Sequence, residues 1–178
     1  MHEFGSSGVR GVAYTELLPA DALAIAQSAG QVLDAERVAL ARDTRLSGGT
    51  FADAVASGLT SVGAAVDRLG ITPTPALQAY CEAEGIPGLV VTASHNPPAY
   101  NGLKLLGNDG VELTREDLDA VENAIETGVD PGPWDETGES RSVDGALRQY
   151  REQLLAAVDR DAIASAHLTV AIDPGHGA

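Results

Sequence analysis

The chain has 178 residues, enough for one domain or for one domain and part of a second. With 44% apolar residues it is too hydrophobic to be disordered. Its 26 acidic against 11 basic residues leave a net charge of −15, which repels phosphate backbones and anionic lipid and argues against nucleic-acid and membrane partners.

Only one of the basic residues is a lysine, Lys104. That scarcity, with an acidic, small-residue composition, suits a halophilic (salt-adapted) or an ordinary acidic protein. The single cysteine, Cys81, excludes an intrachain disulfide and suits a reducing compartment. No stretch approaches eighteen apolar residues, and no basic-then-apolar leader opens the chain. A cytoplasmic location is expected.

A glycine-rich opening, "FGSSGVRGVA", precedes a predicted helix over Pro19 to Leu33, with apolar residues three and four apart and Asp21 in the first turn. "RVALARD", Arg37 to Asp43, reads as a strand, "TRLSGG" as a turn, and Thr50 to about Val62 as an alanine-rich helix stopped by Gly63. "AAVDRLGI" is a second strand, and a proline-led helix runs to Gly85. "GLVVTAS" is a third strand, apolar on both faces and so covered on both sides. After the "HNPPAYNG" loop, "LKLL" is a fourth strand and "GNDG" a turn. The next helix has Thr114 and Asp117 as a cap and Gly128 as its end. Asp130 to Ser140 reads as a linker, followed by a helix over Val143 to Val158 and a strand, "HLTVAID".

This order predicts an α/β fold, a three-layer α/β/α domain with a mixed, mostly parallel sheet between helices. The expected division is residues 1–142 as the domain and 143–178 as the truncated beginning of a second α/β domain.

The stretch "VVTASHNPPAYNGLKL" carries the chemistry. A strand end places Ser94 at the lip of the sheet, where α/β proteins bind ligands. Residues before proline leave the helical region, so Asn96-Pro97 stiffens the loop and lets its amides converge as an anion nest. Asn101-Gly102 reads as a tight turn that returns Lys104 to the loop. A serine, an imidazole and a lysine beside such a nest suit phosphoryl transfer, which needs positioning and positive charge. The plainer reading is a proline-stabilised hairpin with a capping serine. In "GSSGVRG", Arg10 is placed to clamp a phosphate in a bidentate way. Arg42, Asp43 and Arg45 read either as an ion pair supporting the serine loop or as a surface salt bridge. His2, His167 and His176 have no partners at metal-ligand spacing. Trp134, in the linker, reads as a packing residue.

"FGSSGVRG", "ARDTRLSGG" and above all "TASHNPPAYNGLK" resemble the N-terminal domain of the α-D-phosphohexomutases, the phosphoglucomutase, phosphomannomutase and phosphoglucosamine mutase family. The resemblance runs through nearly the whole chain, and "AIDPGHGA" is similar to the first strand and turn of the family's second domain. It implies a phosphoserine at Ser94 that interconverts hexose 1-phosphate and hexose 6-phosphate through a hexose 1,6-bisphosphate. It implies catalytic roles for Ser94, His95, Lys104 and Arg10, and phosphate or substrate contacts from Ser7, Asn96, Asn101 and Arg45. It also implies Mg²⁺ bound through the phosphoryl oxygen on Ser94.

Three departures qualify this. Ser6-Ser7 stands where threonine-serine is common, Ala99 stands where a polar residue is frequent, and the family's Asp-x-Asp-x-Asp-Arg magnesium loop does not occur in the sequence. The expectation is therefore a domain inactive alone, needing the missing C-terminal domains. Glucose or mannose is the expected sugar, with glucosamine behind them. The rival readings are a non-catalytic phosphate-binding or phosphorylatable module and, more weakly, a serine hydrolase. The hydrolase reading lacks a G-x-S-x-G elbow.

Overall fold

The computed structural model describes residues 4, 5, 8–175 and 177. Its six-stranded mixed sheet is made of β1 (Val9–Val12), β2 (Arg37–Arg42), β3 (Ala65–Ile71), β4 (Gly88–Val91), β5 (Tyr100–Leu106) and β6 (Ser140–Ser142). The order is β1-β5-β4-β2-β3-β6, with β5 antiparallel to both its neighbours and the other pairings parallel. The helices are α1 (Pro19–Val32), α2 (Gly48–Ser61), α3 (Thr74–Glu84), α4 (Arg115–Thr127), α5 (Ala146–Ala156) and α6 (Arg160–Ser165). The three-layer architecture expected from the sequence is the one observed.

The central strands explain the layers. Along β2, Val38 and Leu40 join one apolar cluster, while Ala39 and Ala41 join the other. Along β4, Leu89 and Val91 face the first cluster and Val90 the second. Such two-sided burial explains the unbroken apolar runs. The first cluster is closed by α1, α2 and α4 through residues such as Ile25, Phe51, Leu59 and Val121. The second is closed by Leu77 and Cys81 of α3 and by Ala146 of α5. Each fully buried Leu or Phe contributes roughly 1.5–3 kcal/mol of transfer free energy. Helix ends follow local chemistry. Thr114 and Asp117 form a reciprocal capping box on α4, and Gly85 ends α3 in the left-handed conformation at φ 65°.

Several features differ from the sequence expectation. The glycine-rich opening contains β1, whose alternating burial is hidden by Gly11. Asn101-Gly102 is not a turn: it lies inside β5, paired with Gly11 and Arg10 of β1. The linker ends in β6, a three-residue polar edge strand with no hydrophobic signature. "HLTVAID" forms no strand. A strand needs a paired neighbour, none of the described residues supplies one, and Leu168, Val170 and Ile172 are 70–83% exposed. Asp159 caps the short α6 that the sequence reading did not anticipate. Trp134 is 90% exposed. No helix among the described residues is long and apolar enough to cross a membrane.

Candidate active site

From β2 the chain passes through α2 to β3 on one side, and then returns through α3 to β4 on the other side of β2. The crevice beyond the carboxyl ends of β2 and β4 is therefore a topological switch point, where open α/β sheets bind ligands. Asp43 follows β2 and Ser94 follows β4 across this crevice. Both line a cavity of about 560 Å³ together with Arg45, Thr92 and Asn96.

Ser94 is exposed at the mouth and stands at φ +52°, in the left-handed region. For a residue with a Cβ this costs about 1–2 kcal/mol, so the surroundings must impose it. Two hydrogen bonds do so. The Ser94 N–H donates to Thr92 Oγ1 at 3.1 Å, and the Ser94 carbonyl accepts from Arg45 Nη2 at 2.9 Å. The Ser94 Oγ lies 3.4 Å from His95 Nδ1, a long contact between two exposed groups.

The five N–H donors of Arg45 are all engaged. Nε donates to Asp43 Oδ2 at 3.0 Å, Nη1 to the carbonyls of Pro97 and Tyr100 at 2.7 and 2.9 Å, and Nη2 to those of Ser94 and Asn96 at 2.9 Å each. The sequence reading assigned Arg45 to phosphate contact. The observed arrangement leaves it no donor for a phosphate, because the loop carbonyls take them all. Arg42 is outside this network and donates to the Asp43 carbonyl at 3.1 Å.

Arg10, on β1, donates from Nη1 to Asn96 Oδ1 at 2.8 Å, and its Nε is buried without a partner among the described residues. Its side chain runs over Gly102, where an added Cβ would stand 2.9 Å from Arg10 Cγ and from the Thr92 carbonyl oxygen. Asn101 is fully buried. It donates from Nδ2 to Ser47 Oγ at 2.9 Å and accepts the Gly102 N–H, so it ties β5 to the start of α2 and does not face the cavity. Lys104 is not brought to the serine loop. It pairs with Val90, inside β4, and its ammonium meets Glu112 at 2.5 Å in a separate cavity of about 360 Å³. The correction follows from β5 continuing straight where a turn was expected. Ser7 and His176 lie outside the described residues.

A cavity of about 730 Å³ sits beyond the amino ends of β2 and β4, where Asp34, Glu36, Asp109, Glu112 and Asp117 outnumber Arg37, a setting that repels phosphate. Among the described residues no three His, Cys, Asp or Glu side chains are grouped to hold a metal ion. The Asp43 carboxylate beside the serine is already taken by Thr92 and Arg45. The donors among the described residues therefore do not fit Mg²⁺, since one phosphoryl oxygen cannot satisfy its octahedral demand.

The α/β/α fold and a serine held at the switch point define an open α/β domain with a ligand crevice, and comparison with known proteins gives the family. Residues 1–130 match the family model "Phosphoglucomutase/phosphomannomutase, alpha/beta/alpha domain I", and the chain belongs to that family. A phosphoglucomutase/phosphomannomutase of Thermococcus kodakarensis is 41% identical over 98% of this chain and 40% of its own length. A phosphoglucosamine mutase of Levilactobacillus brevis is 38% identical over 99% of this chain and 41% of its own. The crystal structure of a putative phosphomannomutase from Thermus thermophilus superposes with a TM-score of 0.81 at 30% identity, covering 92% of this chain and 37% of that one. The chain thus spans about two fifths of the relatives it matches.

Proposed function

We propose that the chain carries the phosphoryl-bearing serine of a phosphohexomutase, and that the whole protein interconverts hexose 1-phosphate and hexose 6-phosphate. The observation that carries this reading is Ser94. It is an exposed hydroxyl on a strained backbone, fixed from both sides at the switch-point cavity and 3.4 Å from an imidazole.

In the first half-reaction a sugar hydroxyl oxygen attacks the phosphorus on Ser94 Oγ. The P–Oγ bond breaks, the new P–O bond forms on the sugar, and the sugar hydroxyl passes its proton to solvent water. Ser94 Oγ leaves with the electron pair and takes up a proton, for which His95 Nδ1 is the described group within reach. In the second half the bisphosphate returns its other phosphoryl group to Ser94, so protons and phosphoryl groups balance over the cycle. Arg10, held toward the loop by Asn96, supplies positive charge to the transferring group. Lys104 takes part in this reading only after releasing Glu112. Mg²⁺, implied by the family, would supply charge neutralisation when held by parts of the protein outside this chain. The isolated chain is expected to be inactive.

The sugar class is hexose phosphate, with glucose, mannose and glucosamine as candidates, because relatives of comparable identity carry both mutase names. The test is to assay the full-length protein on the 1-phosphates of the three sugars, beside Ser94→Ala. Turnover of one of them that S94A abolishes supports the reading. Turnover surviving in S94A, or no turnover of any, overturns it.

A further inference from the structure

The two bonds that hold Ser94 converge on one carboxylate. Asp43 Oδ2 accepts from Thr92 Oγ1 at 2.7 Å and from Arg45 Nε at 3.0 Å, while Asp43 Oδ1 accepts the Arg45 backbone N–H at 3.0 Å. Thr92 in turn accepts the Ser94 N–H, and Arg45 holds the Ser94 carbonyl. Thr92 is 7% exposed and the Arg45 side chain 9%, so both arms are largely shielded from water. The three residues close a ring around one peptide unit on each side of the serine.

We infer that Asp43, acting through Thr92 and Arg45, is the positioning residue that fixes Ser94 in its left-handed conformation and thereby aims the phosphoryl-bearing oxygen. The inference rests on the proposed role of Ser94 and adds the device that sets its direction. The physical argument has two parts. A left-handed serine relaxes when its flanking peptide groups are free, because an extended or right-handed backbone relieves the steric cost. A carboxylate that accepts charge-assisted bonds from both arms ties the C-terminal ends of two neighbouring strands into one unit. Rotation of the Ser94 backbone then requires breaking the Thr92 bond or the Arg45 bond first. Phosphoryl transfer depends on in-line placement, and a misplacement of about 1 Å costs about 100-fold in rate.

Thr92 is the clean probe, because it touches neither substrate nor phosphorus in this reading and its hydroxyl is removable without changing volume. In the full-length protein, Thr92→Val removes the hydroxyl and keeps the shape, while Thr92→Ser keeps the hydroxyl. T92V is expected to lower kcat about 100-fold with KM within about twofold of the unsubstituted protein. T92S is expected to restore most of kcat. A merely structural threonine would instead give equal losses in both variants, or a lowered melting temperature with kcat of the folded fraction unchanged. Either of those results overturns the inference, as does wild-type kcat in T92V. If T92V does not fold, Arg45→Lys replaces it, since lysine keeps the charge but cannot span Asp43 and four carbonyls together. There, unchanged kcat overturns the inference and a selective kcat loss supports it. Ser94→Ala, measured beside these, separates the two ideas. Activity in S94A overturns the proposed function, whereas an inactive S94A with a fully active T92V overturns only the positioning role.

Discussion

Arg10 Nη1 donates to Asn96 Oδ1 at 2.8 Å across 86 residues of sequence, joining the first strand to the serine loop. The bond is charge-assisted, and it directs toward the loop that carries Ser94 a guanidinium whose Nε has no partner among the described residues. Asn96→Ala removes the tether and is expected to lower kcat/KM about tenfold in the full-length protein. Asn96→Asp keeps the shape but places a carboxylate against Arg10, neutralising it and repelling the phosphoryl group, so its loss exceeds that of N96A. Steady-state kinetics of both variants decide the point, and an N96D protein more active than N96A contradicts it.

Gly102 is the floor of that arrangement. An added Cβ would run into the Val9 carbonyl oxygen and stand 2.9 Å from Arg10 Cγ and the Thr92 carbonyl oxygen. Two of these three neighbours are backbone, of β1 and of the residue that follows β4, and cannot move aside cheaply. Gly102→Ala is expected to destabilise the protein by about 1–3 kcal/mol, seen as a lower urea midpoint, and to reduce activity further by displacing Arg10. An unchanged midpoint would show that β1 and β5 can separate to admit a methyl group.

The layers were legible in the sequence because β2 and β4 are buried on both faces and carry unbroken apolar runs, and because Thr114 with Asp117 announces α4. The serine loop was legible from the run Thr92 to Pro97. What was hidden depended on contacts distant in sequence. Asn101-Gly102 has turn chemistry, yet pairing with β1 on one side and β4 on the other keeps β5 straight. Arg45 reads as a phosphate ligand until its five donors are seen on Asp43 and the loop carbonyls. Thr92 offered one local signal, a hydroxyl two residues before the serine, where it accepts the Ser94 N–H. Ser140–Ser142 offered none, being a polar strand held by pairing with β3 and by Arg141 on Asp67.

Asp67 gives the fold an acid-sensitive component. It is fully buried on β3, accepting from Tyr80 Oη at 2.9 Å and Arg141 Nε at 2.6 Å, with Arg37 Nη1 at 3.2 Å. Burial alone would raise its carboxyl, but the bonds from Arg141 and Tyr80 and the charges of Arg141 and Arg37 outweigh it and hold the group below its ordinary range. A depressed folded-state value means that the stabilisation is full above the unfolded value of about 3.9 and is lost as pH falls through the lower folded value. Asp67→Asn is therefore expected to be less stable at neutral pH and to lose less than the unsubstituted chain on acidification below about pH 4. Denaturant titrations at several pH values measure this, and parallel stability curves for the two proteins would contradict it.

Cys81 is expected to be chemically silent in the folded protein. Its side chain is fully buried on α3 against β4, where a Cβ on Gly88 would approach Sγ to 2.5 Å. Burial pushes the thiol up to about 12, so almost no thiolate exists near neutral pH, and the thiolate is the reactive form. A soluble alkylating reagent should leave Cys81 unmodified over hours at neutral pH and modify it fully once denaturant is added. Peptide mass spectrometry before and after unfolding reads both states. Rapid labelling under native conditions would mean that α3 lifts from the sheet on that timescale, and that the second core cluster is far less stable than its complete burial implies.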